Sequence, residues 1–375
     1  MKKTNKDTFI KYITIIFFFG FIFIFPVVTL STPDKKINEV ENKILTQLPI
    51  PSIDKIINGS FMKNFDNYSS DQFPLRTEFI KLKNLYSYSM GIREYRNIYV
   101  GSNGRLMEKF IFNKEIVDNN ISQVIQFSSY LYDKYEIPST IMVIPTSVAF
   151  YDDNLPEYAV NDSQKDVLNY INTQLEYNKD FNSYIDFYSP YEVLNNNKDK
   201  YIYFNTDHHW TQLGAMLAYE DFYGEVSGDY SEVAKDFYGT YYSKAILPQI
   251  KGDTIYSFDN YNNFKINMDF DKNYDTLYAN DKLSGKNKYQ YFLHGDPAIA
   301  IIEGNATSTD EVLVFKDSYA HNFIPFLTSK YKKIHVVDPR YYKLNIDDYL
   351  SNNENIKEVL FFNNISTFNS SLLFK

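Results

Sequence analysis

From Tyr12 to Leu30 the chain runs for 19 residues without a charge, as YITIIFFFGFIFIFPVVTL. At about 1.5 Å of rise per residue, a helix of that length spans roughly 28 Å, close to the hydrocarbon thickness of a bilayer. The run is apolar on every side and sits at the amino terminus, which suits a membrane span better than a core helix. A secretory signal peptide usually has a shorter apolar stretch and a small-x-small cleavage site. Val28-Thr29-Leu30-Ser31-Thr32 is a weak version of such a site, so an uncleaved transmembrane signal-anchor is expected over 12–30. Lys2, Lys3, Lys6 and Lys11 against Asp7 give residues 1–11 a charge of +3. The positive-inside rule makes them a cytoplasmic tail and places the rest of the chain outside the cell, held at the membrane.

The remainder carries 34 basic and 46 acidic residues, a balance of −12. That sign argues for no nucleic-acid partner. A hydrophobic fraction of 44% over 375 residues is ample for a core. With no cysteine in the chain, disulfide scaffolds and Cys-ligated zinc or iron–sulfur sites are excluded.

Residues 31–58 read as a polar stalk punctuated by Pro33, Pro49 and Pro51. Asn58-Gly59 is a turn, and Ser60 is placed to cap an amphipathic stretch with Phe61, Phe65 and Tyr68. A second such stretch covers 76–90. A hairpin is expected around Asn103-Gly104. Beyond it, short apolar strands at 139–144, 184–188, 311–315, 333–337 and 357–362 alternate with helical periods at 121–135, 163–177, 211–222, 319–327 and 346–352. This rhythm predicts an α/β fold with a mostly parallel sheet and helices on both faces. Residues from about 227 to 310 break it and read as a β-rich insertion.

The chain has five histidines, and two are adjacent in Asn205-Thr206-Asp207-His208-His209-Trp210-Thr211. An Asp two residues before a His can hold the imidazole in one tautomer and stabilise its cation, as an orienting acid does for a general base. Later, Lys316-Asp317-Ser318-Tyr319 follows the apolar run 311–315. A serine at a strand-to-helix turn of a parallel sheet sits at the carboxyl edge, where ligands bind, with N–H groups of the next helix available to an oxyanion. Ser318 could equally be a plain helix cap. His208 and His209 as metal ligands lack a third cluster in sequence, a thin case for a metal site.

Several strings in this order resemble one family. They are Asn42 ahead of Pro49-Ile50-Pro51, Asp71-Gln72-Phe73-Pro74-Leu75-Arg76, Tyr99-Val100-Gly101-Ser102-Asn103-Gly104, Val143-Ile144-Pro145-Thr146, Asp207-His208-His209-Trp210, His294-Gly295-Asp296, Lys316-Asp317-Ser318-Tyr319 and Asp338-Pro339-Arg340-Tyr341-Tyr342. From about residue 40 onward the chain resembles the DHHW family of Gram-positive exported proteins, related to the SGNH-like acetyltransferases of alginate O-acetylation. The resemblance implies an SGNH-hydrolase-like catalytic domain over 59–375. In it Ser318 is the nucleophile, His209 the general base and Asp207 its orienter, with no role for His208. The order of the motifs is not that of classical SGNH enzymes, so the oxyanion hole stays unassigned.

The implied activity is O-acetyl transfer to a cell-surface or extracellular polysaccharide, with a membrane-bound O-acyltransferase as acetyl donor and with no metal or bound cofactor required. Water as acceptor would make the same triad an esterase. A non-catalytic scaffold of a polysaccharide assembly is the third reading. Trp210, Tyr319, His294 and Arg340 are candidates for substrate binding. Packing competes with that role at Trp210, and an ion pair competes at Arg340. His321, one turn after Ser318, could approach the site, whereas His335 suits a core strand and Asn364 a turn.

Overall fold

The computed structural model describes residues 3–177 and 184–373. Met1 and Lys2 of the expected tail, and residues 178–183 and 374–375 of the expected catalytic domain, lie outside them. The chain divides into two compact units, residues 1–92 with 246–248 and residues 93–245 with 249–375.

In the second unit the apolar runs form strands that are covered on both faces. Eight strands make the main sheet, numbered here in chain order: β1 Ser139–Ile144, β2 Ile185–Tyr188, β3 Ile266–Met268, β4 Lys272–Tyr274, β5 Ile299–Glu303, β6 Glu311–Lys316, β7 Lys333–Val337 and β8 Ile356–Asn364. Their spatial order is β4-β3-β5-β7-β6-β8-β1-β2. The five strands from β7 to β2 are parallel, with Val314 opposite Leu360 and Leu360 opposite Thr140. Every residue of β1 and of β6 is buried, as a parallel sheet sandwiched between helices requires.

Residues 227–310 are β-rich, as expected, and part of them joins the main sheet. β3, β4 and β5 extend the sheet as an antiparallel wing, with Ile301 of β5 opposite His335 of β7. Only the ribbon of Tyr230–Phe237 and Asp253–Phe258 remains a separate pair.

The helix Lys114–Tyr135 starts at Asn113, whose side chain accepts from the Ile116 N–H, and buries Val117, Ile121, Val124 and Leu131 on one face. Gln164–Tyr177 buries Val167, Leu168, Ile171 and Leu175. His335 is a core residue, its Nε2 2.7 Å from Glu311 Oε2 and its Nδ1 2.7 Å from the Tyr349 hydroxyl.

The first unit begins with the helix Lys3–Ser31, in which Thr8–Thr29 is long and apolar enough to cross a membrane. The segment expected as a stalk is folded. It forms a ribbon of Ile37–Asn38 with Lys43–Ile44 and the short helix Ile53–Ile57. Buried Asp71 accepts from Lys43 Nζ at 2.5 Å and from the Thr46 N–H at 3.0 Å, and Arg76 forks onto Glu41 at 2.9 and 3.1 Å. The helices Ser60–Asp71 and Arg76–Ser89 complete this unit, so the boundary expected between 58 and 59 falls inside it. Gly59, with φ of +74°, takes the capping position expected of Ser60.

Candidate active site

Residues 203–211 reverse the chain tightly, with Tyr203 bridged to Trp210. The buried Asp253 carboxylate organises this loop. It accepts from the N–H groups of Asn205 and Thr206, both at 2.7 Å, and from the hydroxyls of Thr206 and Tyr201, both at 2.6 Å. Asp207 then faces inward, and its Oδ2 accepts from the Thr240 N–H at 2.8 Å. The backbone at 239 passes so close that a Cβ there would lie 2.2 Å from Asp207 Cβ, so only glycine fits.

Ser318 follows β6 directly. The preceding Asp317 is a buried clamp that accepts from the Tyr319 N–H at 2.9 Å, the Asn364 N–H at 2.8 Å and the Asn364 side-chain amide at 2.7 Å. The helix expected over 319–327 is a single 3-10 turn, Ser318–Asn322, followed by Ile324–Leu327. Because Asp317 engages the Tyr319 N–H, that group is not offered to an oxyanion, contrary to the expectation from sequence.

The two segments meet. His209 Nε2 lies 2.8 Å from Ser318 Oγ, and His209 Nδ1 lies 2.5 Å from Asp207 Oδ1. These partners assign the proton to Nδ1, which donates to Asp207 and leaves Nε2 to accept from the serine hydroxyl. Burial pushes the His209 imidazole down to about 4, His208 pushes the same way, and Asp207 opposes both. Burial alone would raise Asp207, but His208 and His209 hold it well below the usual carboxylate range. His209 is therefore a neutral acceptor at pH 7, held by an ionised carboxylate. Ser318 keeps partial exposure, so a ligand can reach it.

His208 turns away from the serine. Its Nδ1 lies 2.7 Å from Thr240 Oγ1, and its carbonyl accepts from the Tyr319 hydroxyl. Asp207, His208 and His209 are close enough to share a metal ion. Their nearest donor atoms are already spent on one another, on Thr240 and on Ser318, which makes a hydrogen-bonded relay and not an open ligand set.

The other candidates separate. Trp210 is fully buried, stacks on Phe323 and donates from Nε1 to the Tyr319 carbonyl at 2.9 Å. Tyr319 is also fully buried. Neither can touch a sugar, and the substrate role expected for both gives way to packing behind the site. Arg340 is forked onto Asp338 at 2.8 and 2.6 Å, so its ion-pair reading prevails. His294 stacks on Tyr274 at 3.8 Å and lies 2.8 Å from the Thr276 carbonyl, contacts that hold it to the antiparallel wing and not to Ser318. His321 is buried beside Lys316, Nε2 to Nζ 2.7 Å. Burial pushes this lysine down, against the pull of Asp338.

Two residues escaped the sequence reading. Tyr289 lays its ring flat on His209, centroids 3.6 Å apart and planes 9° apart, and donates its hydroxyl to the Ser318 carbonyl at 2.9 Å. Gly239 makes room for Asp207. Both lie in the stretch taken for an insertion, where no spacing marks them. Asn364, expected as a turn residue, caps the helix Ile365–Ser370 and grips the clamp of the serine turn.

The DHHW protein family matches residues 94–337. The chain belongs to the DHHW family. Its fold is similar to that of a DHHW family protein from Eubacterium siraeum DSM 15702, 23% identical, covering 73% of this chain and 92% of that one with a TM-score of 0.61. Bacillus cereus PatB1 is 20% identical, covers 74% of this chain and 98% of its own and gives 0.58; it is also known with a sulfonyl adduct. The O-acetyltransferase domain of Pseudomonas putida AlgJ is 13% identical, covers 74% and 93%, and gives 0.45. No curated protein matches the chain.

Proposed function

We propose that this protein is a membrane-anchored O-acetyltransferase that acetylates a cell-surface or extracellular polysaccharide. The observation that carries the reading is His209, set between Ser318 at 2.8 Å and Asp207 at 2.5 Å. That is the arrangement of nucleophile, base and orienting acid used for acyl transfer.

In the first half-reaction His209 Nε2 takes the Ser318 proton as Oγ attacks the acetyl carbonyl. The bond to the donor's leaving group breaks, the leaving group takes the proton from His209, and an acetyl-serine remains. In the second, His209 takes the proton of a sugar hydroxyl, whose oxygen attacks the acetyl carbonyl, and Ser318 regains its proton as it departs. Asp207 stabilises the imidazolium in both halves. Acetyl-CoA is cytoplasmic, so a domain outside the cell needs a donor carried through the membrane. A membrane-bound O-acyltransferase supplies that chemistry.

The test has two parts. p-Nitrophenyl acetate, or a sulfonyl fluoride of the class that leaves an adduct such as the one known on PatB1, should modify Ser318, read by peptide mass. Ser318→Ala and His209→Ala should each abolish transfer of labelled acetate to the glycan, and the double variant should be no worse than either single one. Release of free acetate with none on added glycan would make the protein an esterase. Normal acetylation by both variants would leave the scaffold reading.

A further inference from the structure

The helix Arg76–Ser89 and its flanks carry Leu75, Phe79, Leu82, Tyr86 and Met90, spaced three or four apart. At helical periodicity they form one stripe along its side. The whole stripe is exposed, Leu82 by 63%, Tyr86 by 65% and Met90 by 66%.

The stripe starts at the anchor helix. Phe73 stacks on Phe25 with centroids 5.0 Å apart, and Phe79 lies 5.9 Å from both rings. Phe25 is inside the apolar span Thr8–Thr29, four residues from its end. At 1.5 Å per residue that is about 6 Å inside the boundary. An interfacial helix sinks its apolar face about 5–10 Å below the headgroups, so Phe79 is held at the depth such a helix occupies. Lys83 flanks the stripe, where its ammonium can reach the headgroups, and Tyr86 is a residue type favoured at that level.

We propose that Arg76–Ser89 lies in the bilayer interface at the carboxyl end of the span, with the Leu75–Met90 stripe in lipid. The proposal rests on the span crossing a membrane. It adds a second, in-plane contact, so that the first unit lies along the bilayer surface.

The cysteine-free chain allows a direct test. Full-length protein carrying a nitroxide on a single Leu82→Cys or Tyr86→Cys is reconstituted in phosphatidylcholine–phosphatidylglycerol vesicles. Its access to oxygen is compared with access to a water-soluble nickel chelate. Gly20→Cys, inside the span, and Glu157→Cys, exposed on the second unit, are the references. The ratio at Leu82 and Tyr86 should be several-fold above that at Glu157 and approach that at Gly20. A Glu157-like ratio at the stripe with a lipid-like one at Gly20 overturns the proposal and leaves the span standing. Exclusion of both reagents from the stripe overturns it in favour of a protein cover. A water-like ratio at Gly20 brings down the membrane reading itself.

Discussion

The two units use apolar side chains in opposite ways. Among the described residues up to 92, only Glu41, Leu45 and Asp71 are buried, while Ile53, Ile57, Leu82 and Met90 stand exposed. Beside the Phe25–Phe73–Phe79 rings, what ties that unit together is polar, the Asp71 carboxylate on Lys43 and Thr46 and the Arg76–Glu41 fork. In the second unit the apolar side chains converge on one continuous core that includes Trp210, Tyr203 and Phe362, and the Asp207–His209–Ser318 relay is set against it. A unit that leaves its large apolar side chains outward is suited to an apolar surrounding. A unit that packs them into a continuous core is suited to water and can hold a hydrogen-bonded relay rigidly.

The widest gap between the units should be in chemistry. Asp207→Asn should lower kcat/KM for a small ester by about 10³–10⁴-fold, by disturbing the tautomer of His209. Asp71→Asn, a buried carboxylate of the first unit, should leave it unchanged. An equal loss from both would erase the distinction.

Stability comes next. Trp210→Ala opens a void in a dense core and should cost about 3–5 kcal/mol. Leu82→Ala removes a side chain from a surface and should stay within about 0.5 kcal/mol. Urea unfolding of the full chain in detergent measures both, and a large loss at Leu82 would mean the stripe is packed against protein.

A third comparison lies within the second unit. Tyr289→Leu removes the lid from the base together with the bond to the Ser318 carbonyl. Tyr289→Phe removes only the bond, worth about 0.5–1.5 kcal/mol, so it should cost about 2–10-fold in kcat, with Tyr289→Leu clearly worse. Tyr289→Leu should also move the acid limb of the pH profile upward, because water then reaches His209 and the desolvation that depresses its pKa is relieved. A purely structural tyrosine would lower the yield of folded protein without moving that limb.

The smallest effect concerns His208. The base works in its neutral form, so activity is present above the His209 pKa of about 4 and is lost as pH falls through it. A protonated His208 holds that value down. His208→Gln should therefore shift the acid limb to higher pH while leaving the plateau largely intact. An unmoved limb would remove His208 from the electrostatics of the site.

The parts of this design that could be read from sequence follow from how strongly each segment is constrained. β1 and β7 match their expected limits, 139–144 and 333–337, because strands buried on both faces are continuous apolar runs. That Asp207, His209 and Ser318 come together was legible only jointly, since Asp-x-His is common and a serine after a strand is as often a helix cap, and it was the family resemblance that linked the two strings. β3 and β4 were not legible, since three-residue runs holding Asn look alike whether they stand alone or join an edge, and the apolar run of β5 was absorbed into the stretch read as an insertion. Tyr289 was hidden for the same reason. Its role is set by a ring lying on another ring, and nothing in its neighbours along the chain announces that. The candidacy of Trp210 and Tyr319 as sugar contacts, at Trp210 beside a packing role, has a different cause. Proximity in sequence to His209 and Ser318 placed them near the site, and only the folded backbone says which way they face.

β8 lies between β1 and β6, in the middle of the sheet, yet it is the last of the eight strands to leave the ribosome. Until it arrives, the parallel sheet has a gap at its centre, and long-range pairings of this kind close slowly. The Asn364 that grips Asp317 comes with it. The turn bearing Ser318 is thus completed in the same step that closes the sheet, so on the proposed reading a half-made chain has no assembled nucleophile to be acylated early. The position of one strand sets the time at which the site is first assembled.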